Sequence, residues 1–166
     1  LASEVGLDVH TDPRLRETHL GQWQGMSHSE VDAQWPDARA EWRRSPHWAP
    51  PQGESRLDVA LRTRQVIDGL VEEFPDWDER PAVVVSHGGA IAALTAALLE
   101  FPAEQYPMFN GLGNTCWVQL SAHHRPERNG EDPAASEIEP TTDTARSLLW
   151  RLDQWNAGIT PPVEVS

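Results

Sequence analysis

The chain has 166 residues, 26 of them acidic against 13 basic, for a net charge of −13, and it holds one cysteine, Cys116. That length suits a single domain, the charge argues against binding along a nucleic-acid backbone, and a lone cysteine excludes an internal disulfide and thiolate metal clusters. No apolar run is long enough to cross a bilayer, and the opening LASEVGLDVH lacks the basic and apolar regions of a secretory signal, so a reducing, cytoplasmic compartment is expected.

In chain order, Leu1–Val9 reads as the end of a helix followed by a short strand. Thr11–Gly25 is polar and punctuated by glycine, a loop. Ser27-His28-Ser29-Glu30 is a capping box that starts a helix, and Val31, Trp35, Ala38 and Trp42 follow at helical spacing. Pro36 divides this stretch into two short helices. Ser45–Gly53 is a proline-rich loop. A second capping box, Ser55-Arg56-Leu57-Asp58, opens a long helix whose apolar face is Leu57, Ala60, Leu61, Ile67, Leu70, Val71 and Phe74, ended by Pro75.

Ala82–Val85 has the β-branched composition of a buried parallel strand. Ser86-His87-Gly88-Gly89 forms a tight turn, and an alanine- and leucine-rich helix then runs without charge to Glu100. Pro102–Phe109 holds one helical turn, and Thr115–Leu120 alternates as a strand. Residues 122–146 are charged and rich in Pro, Gly, Ser and Thr, a flexible insertion. Leu148–Trp155 is a last strand, and 156–166 a loose tail. Helices thus alternate with strands in an α/β order. The first ten residues start as if in mid-element, like the later part of a domain whose first βαβ unit is absent.

The turn after Val85 places His87 at the carboxyl end of a strand and beside a helix N-terminus, where open α/β sheets bind ligands and where free amides and the helix dipole favour an anion. Read alone, His87 serves equally well as a phosphate ligand or as a plain turn residue. Glu17 lies among Arg14, Arg16 and His19. A structural ion pair accounts for it, and in a pocket shared with an anion it becomes a proton donor. Ser55 at the N-cap accounts for Gly53-Glu54-Ser55 as a helix start. The 13 basic residues are all arginine, whose planar fork fits phosphate oxygens, although a GC-rich genome explains the missing lysine as well. The eight tryptophans belong mainly to the core or to pocket walls.

RLRETHLGQWQG (residues 14–25), GES (53–55) opening a helix with Arg62 or Arg64 in it, VVVSHGG (83–89) and GLGNTCW (111–117) stand in one order. As an ordered set they resemble the histidine phosphatase superfamily, the phosphoglycerate mutase-like group. Within it they look closest to the actinobacterial glucosyl-3-phosphoglycerate phosphatases, through RLRETHLG-W-QG, WAP–GES, HGG-IAAL-AALL and RLD-WN. The resemblance implies a three-layer α/β/α sandwich with a mostly parallel central sheet. It implies phosphomonoester hydrolysis through a phosphohistidine, without metal or other cofactor, on a small phosphorylated substrate. Glu17 would protonate the leaving oxygen, His87 would bind the phosphoryl group, and the Gly88 amide would hold a phosphate oxygen. His19, Leu20 and Asn114, within or beside the matched motifs, are further candidates for contact with phosphate or substrate.

No Arg-His-Gly tripeptide, the family's source of the nucleophilic histidine, occurs in the sequence. Residues 1–166 are therefore expected to be the C-terminal portion of one histidine phosphatase domain, inactive by themselves. Trp42-Arg43-Arg44-Ser45 looks like the arginine pair of the mutase branch, but the link from Arg44 to Gly53 is short, and Thr18 and Leu20 stand where mutases carry arginine and tyrosine. A phosphatase is favoured over a bisphosphoglycerate-dependent mutase, with Arg43 and Arg44 left to meet an acidic part of the substrate. A non-catalytic phosphate-binding domain is the reading from a different class. Trp23, Trp48 and Trp117 are candidates to stack on a sugar ring, though core packing explains each alone. The resemblance also implies a homodimer, for which Pro102–Leu112 offers a part-apolar surface.

Overall fold

In a computed structural model, residues 2–74, 80–125 and 137–158 are described. Both capping boxes form as the sequence predicts. In α2 (His28–Gln34), the Ser27 hydroxyl accepts from the Glu30 amide and the Glu30 carboxylate from the Ser27 amide. Ser55 and Asp58 do the same for α4 (Arg56–Glu73). These reciprocal bonds satisfy amides that have no partner within the helix. Beyond α1 (Ala2–Val5) no strand follows: Leu7 and Val9 are exposed, the Leu7 amide turns back to the Ala2 carbonyl, and neither residue has a ladder partner among the described residues. The turn after α2 separates it from α3 (Ala38–Arg44), with Asp37 in the left-handed region at φ 64°.

The core lies between α4 and α5 (Gly88–Leu98). Alanines 93, 96 and 97 let α5 approach Val59 and Ala60 of α4, and Tyr106 and Ile138 close that cluster. Further along, Leu94 and Leu98 meet Ile67 and Val71, and the pair packs on Leu148 and Trp150. A helix apolar around most of its circumference belongs inside, and α5 is buried from Ala92 to Leu98. On α4 the structure corrects the expected face: Leu61 is exposed, whereas Arg64 and Asp68 are fully buried. They survive there as an i, i+4 ion pair at 3.0 Å. Arg64 also donates to the Ala97 carbonyl of α5, and Asp68 accepts from the backbone amide and the hydroxyl of Thr141.

The sheet of the described residues has two antiparallel strands, β1 (Trp117–His124) and β2 (Leu148–Ala157). Ala82–Val85, expected as a buried parallel strand, has no ladder partner among the described residues, and Val83 and Val85 stand 74% and 75% exposed. A strand forms only where a neighbour takes up its amides and carbonyls. The charged stretch is shorter than expected. Ala122–His124 continues β1, Ile138 and Ala145 are buried, and Asp143–Arg146 forms α6, capped by the Thr142 hydroxyl. Asn156 and Ala157 complete β2 rather than starting a tail. The rest of the expected insertion (126–136), the tail from 159 and Pro75 lie outside the described residues. No helix among the described residues is long and apolar enough to cross a membrane.

Candidate functional site

His87 is the N-cap residue of α5, in extended conformation (φ −114°, ψ 157°), and its ring makes no capping bond. It is exposed and lines an open, predominantly polar cavity of about 480 Å³. The walls are Ser86–Gly89, Ile91, Gly111–Cys116 and Glu17. The structure therefore brings Glu17, His87, Gly88 and Asn114 to one cavity from segments up to 97 residues apart (114 − 17).

Three contacts fix the carboxylate of Glu17. Its Oε2 accepts from the Gly89 amide at 3.0 Å, and its Oε1 accepts from the Thr18 amide at 2.8 Å and the Thr18 hydroxyl at 3.3 Å. It thus sits against the N-terminus of α5, where free amides and the helix dipole favour negative charge. Both glycines of the turn answer to close approach. A Cβ at Gly89 would stand 2.7 Å from Glu17 Oε1, and one at Gly88 2.9 Å from the Leu112 carbonyl oxygen. The Ser86 hydroxyl donates to the Leu15 carbonyl, a direct tie between the turn and the Glu17 segment.

The other predicted residues lie outside the cavity lining. His19 accepts from the Gly21 amide through Nδ1, and the Leu20 amide donates to Gln24. Arg43 and Arg44 end α3, where Arg43 Nε donates to the Arg39 carbonyl and Arg44 pairs with Glu41. Trp23 is buried against the rings of Trp35, Trp42 and Trp48, with the Arg56 guanidinium 5.3 Å from the Trp42 centroid. Trp117 is half exposed on β1 and donates to Gln154. None of the three tryptophans proposed for sugar stacking lines the cavity.

Sequence reasoning missed how fully Glu54 and Arg62 are engaged. A helix cap explains Ser55 but leaves Glu54 without a role, and that gap was the available signal. Glu54 receives Arg62 Nε at 2.7 Å and the His19 amide at 2.8 Å. Two backbone segments cross here. A Cβ on Gly53 would lie 2.7 Å from the His19 carbonyl oxygen, and one on Gly21 (φ +54°) 2.1 Å from that of Pro51. Hydrogen bonds from Arg62 hold the Glu54 carboxyl below its ordinary range, with burial opposing and the His19 amide adding to the effect. Folded Glu54 thus stays ionised to lower pH than unfolded Glu54. Its contribution is complete above the ordinary glutamate value of about 4.3 and is lost as pH falls through the lower folded-state value. Glu54→Gln is accordingly expected to flatten the fall in Tm between about pH 5 and pH 2, read by thermal melts across that window; an unchanged acid limb would remove Glu54 from the acid response.

A second cavity of about 430 Å³, between the end of α5 and β2, carries none of the predicted site residues. Among the described residues, the potential metal ligands His47, Glu104 and Glu137 have ligand atoms within 4.8 Å of one another, all exposed and all away from the Glu17–His87 cavity.

Known proteins match this arrangement. The chain is 47% identical over 162 residues to glucosyl-3-phosphoglycerate phosphatase of Mycobacterium tuberculosis, and 48% identical over 161 residues to that of Mycolicibacterium vanbaalenii. Each match covers 95% of this chain and 66% of the relative, so the chain spans just under two thirds of the length of these relatives. A solved structure of a mycobacterial glucosyl-3-phosphoglycerate phosphatase with inorganic phosphate superimposes with a TM-score of 0.79 at 45% identity, over 94% of this chain and 68% of that one. The superposition places the chain in the α/β, phosphoglycerate mutase-like fold of its relatives. The pattern of the histidine phosphatase superfamily (branch 1) spans residues 1–129. With motif order, cavity and solved relatives in agreement, the chain belongs to the histidine phosphatase superfamily.

Proposed function

We propose that these residues form the proton-donating and phosphoryl-binding part of a phosphomonoester hydrolase that acts through a phosphohistidine, with glucosyl-3-phosphoglycerate as its substrate. The observation that carries the reading is the cavity in which the Glu17 carboxylate and the His87 ring, which makes no capping bond, face one space at the N-terminus of α5. A phosphoryl group there would meet amides of the helix N-terminus and the ring nitrogens of His87. Glu17 lines the same cavity, so an ester bound there would have this carboxyl as its proton donor. The identities of the mycobacterial relatives support the choice of substrate.

The chemistry runs in two displacements. A histidine nitrogen attacks phosphorus, and the bond from phosphorus to the ester oxygen breaks. The leaving alkoxide takes the proton of Glu17 and departs as an alcohol. Water then attacks the phosphohistidine, Glu17 takes a proton from that water, and inorganic phosphate leaves as the histidine is restored. The attacking histidine belongs to an Arg-His-Gly motif that the 166 residues do not contain. We therefore assign them to the C-terminal portion of one histidine phosphatase domain, a cytoplasmic enzyme. In the whole domain Ala82–Val85 is a central strand of a mostly parallel sheet within a three-layer sandwich. Its exposed valines in this chain support that assignment.

The test is phosphate release by the protein translated from its natural start, offered glucosyl-3-phosphoglycerate and 3-phosphoglycerate with EDTA present. Release from the glucosylated ester, unaffected by EDTA, is expected, and none from the 166 residues alone. Turnover that needs a bisphosphorylated primer would point to a mutase, and no release from either ester to a phosphate-binding domain.

A further inference from the structure

Arg62 lies outside the cavity lining, yet it has no unused donor. Nε and one Nη2 hydrogen go to the two oxygens of Glu54, at 2.7 and 2.9 Å. The remaining hydrogens go to backbone carbonyls of the segment that carries the proton donor: Nη1 to Arg14 at 2.5 Å and to Arg16 at 2.8 Å, and Nη2 to Glu17 itself at 3.1 Å. Glu54 completes the grip by accepting from the His19 amide, while the Glu54 amide donates to the His19 carbonyl. The Glu17 segment is thus fastened on both sides of Glu17 by one guanidinium and one carboxylate, both partly buried.

Arg62 stands on the second turn of α4, whose other face packs on α5. One of the amides that orient the Glu17 carboxylate, that of Gly89, belongs to α5. Helix α4 therefore references the backbone of Glu17 to the same rigid pair of helices that positions His87.

We propose that Arg62 and Glu54 are positioning residues for proton transfer, holding Glu17 at the distance and angle at which it reaches the leaving oxygen. The proposal rests on the proton-donor role given to Glu17 above. Lysine cannot replace the arginine: an ammonium has three donors on a point charge and lacks the planar fork that spans a carboxylate and three carbonyls. A displacement of about 1 Å in a catalytic group costs up to ~10²-fold in rate, so the clamp contributes on that scale without touching substrate.

Leaving-group dependence separates positioning from general damage to the fold. An alkyl phosphate needs a proton on its departing oxygen, whereas p-nitrophenyl phosphate expels a stable phenolate without one. In the protein translated from its natural start, Glu17→Gln is expected to lower kcat/KM for an alkyl ester by ~10²-fold or more while changing that for p-nitrophenyl phosphate by no more than ~3-fold. Arg62→Lys is expected to show the same selectivity at about 10-fold on the alkyl ester. Glu54→Gln keeps the shape of the carboxylate and provides a milder version should Arg62→Lys fold poorly. Selective loss in Glu17→Gln together with selective loss in either clamp variant supports the proposal. Selective loss in Glu17→Gln with equal losses on both esters, or none, in the clamp variants overturns the positioning role alone. Equal losses on both esters in Glu17→Gln itself would remove the proton-donor reading, and the positioning role with it.

Discussion

Asp68→Ala is expected to lower the free energy of unfolding by about 3–5 kcal/mol, the usual cost of removing one member of a buried ion pair. Arg64 and Asp68 are 0% and 1% exposed. Without the carboxylate, the guanidinium stays buried with its charge uncompensated, and the backbone amide and hydroxyl of Thr141 lose their acceptor. Domains of this size are stable by only about 5–15 kcal/mol, so the loss is a large share of the total. Urea denaturation of the two proteins side by side measures it. Replacing both partners together, Arg64→Met with Asp68→Leu, is expected to recover only part of the loss, because no charge is left stranded but Thr141 still lacks its acceptor. A single-variant cost below ~1 kcal/mol, in the range of surface pairs, would show that water reaches the pair.

His87→Gln is expected to do the opposite, removing activity while leaving the fold in place. The ring is exposed, makes no capping bond, and precedes a helix whose burial begins three residues later, at Ala90. Its loss should shift Tm little, since surface substitutions away from special features usually change stability by no more than about 0.5 kcal/mol. Phosphatase activity of the protein translated from its natural start is expected to fall by about 10²–10³-fold, the scale of removing one preorganised donor from a developing negative charge. Steady-state phosphate release and a thermal melt on the same preparation check both halves. Near-normal turnover would exclude His87 from the reaction. Together the two variants separate what holds the domain together from what it does.

The parts of this fold legible in the sequence are those set by local chemistry. Ser27 with Glu30 and Ser55 with Asp58 announce helix starts because both bonds of a capping box form within four residues. The run from Ala90 to Leu98 announces a buried helix through composition alone. Ala82–Val85 forms no ladder among the described residues, because ladder formation depends on neighbours distant in sequence. Charge concealed the rest. Arg64 and Asp68 look like solvent-facing residues until their partners in α5 and at Thr141 are known. The Asp143–Arg146 helix is hidden in a stretch whose average composition suggests no structure.

At the site, Glu17, His87, Gly88 and Asn114 are readable because each belongs to a motif of fixed spacing, and the structure gathers all four. The grip of Arg62 on the carbonyls of residues 14, 16 and 17 leaves no trace in the sequence. A backbone carbonyl is available at every residue, so an arginine that binds three of them imposes no requirement on the side chains it passes.

The valine run before His87 has a consequence for how this chain behaves in bulk solution. Val83 and Val85 present an apolar ribbon with no strand beside it among the described residues, and such an edge is a template for pairing with another copy. What opposes this is the charge of −13, which keeps like molecules apart over distances of about 10 Å at 0.1 M salt and about 3 Å at 1 M. Colloidal stability of the isolated chain is therefore a contest between a short-range adhesive stripe and a screened repulsion. Added salt tilts it toward association, while a strand laid along Ala82–Val85 would remove the adhesive stripe altogether.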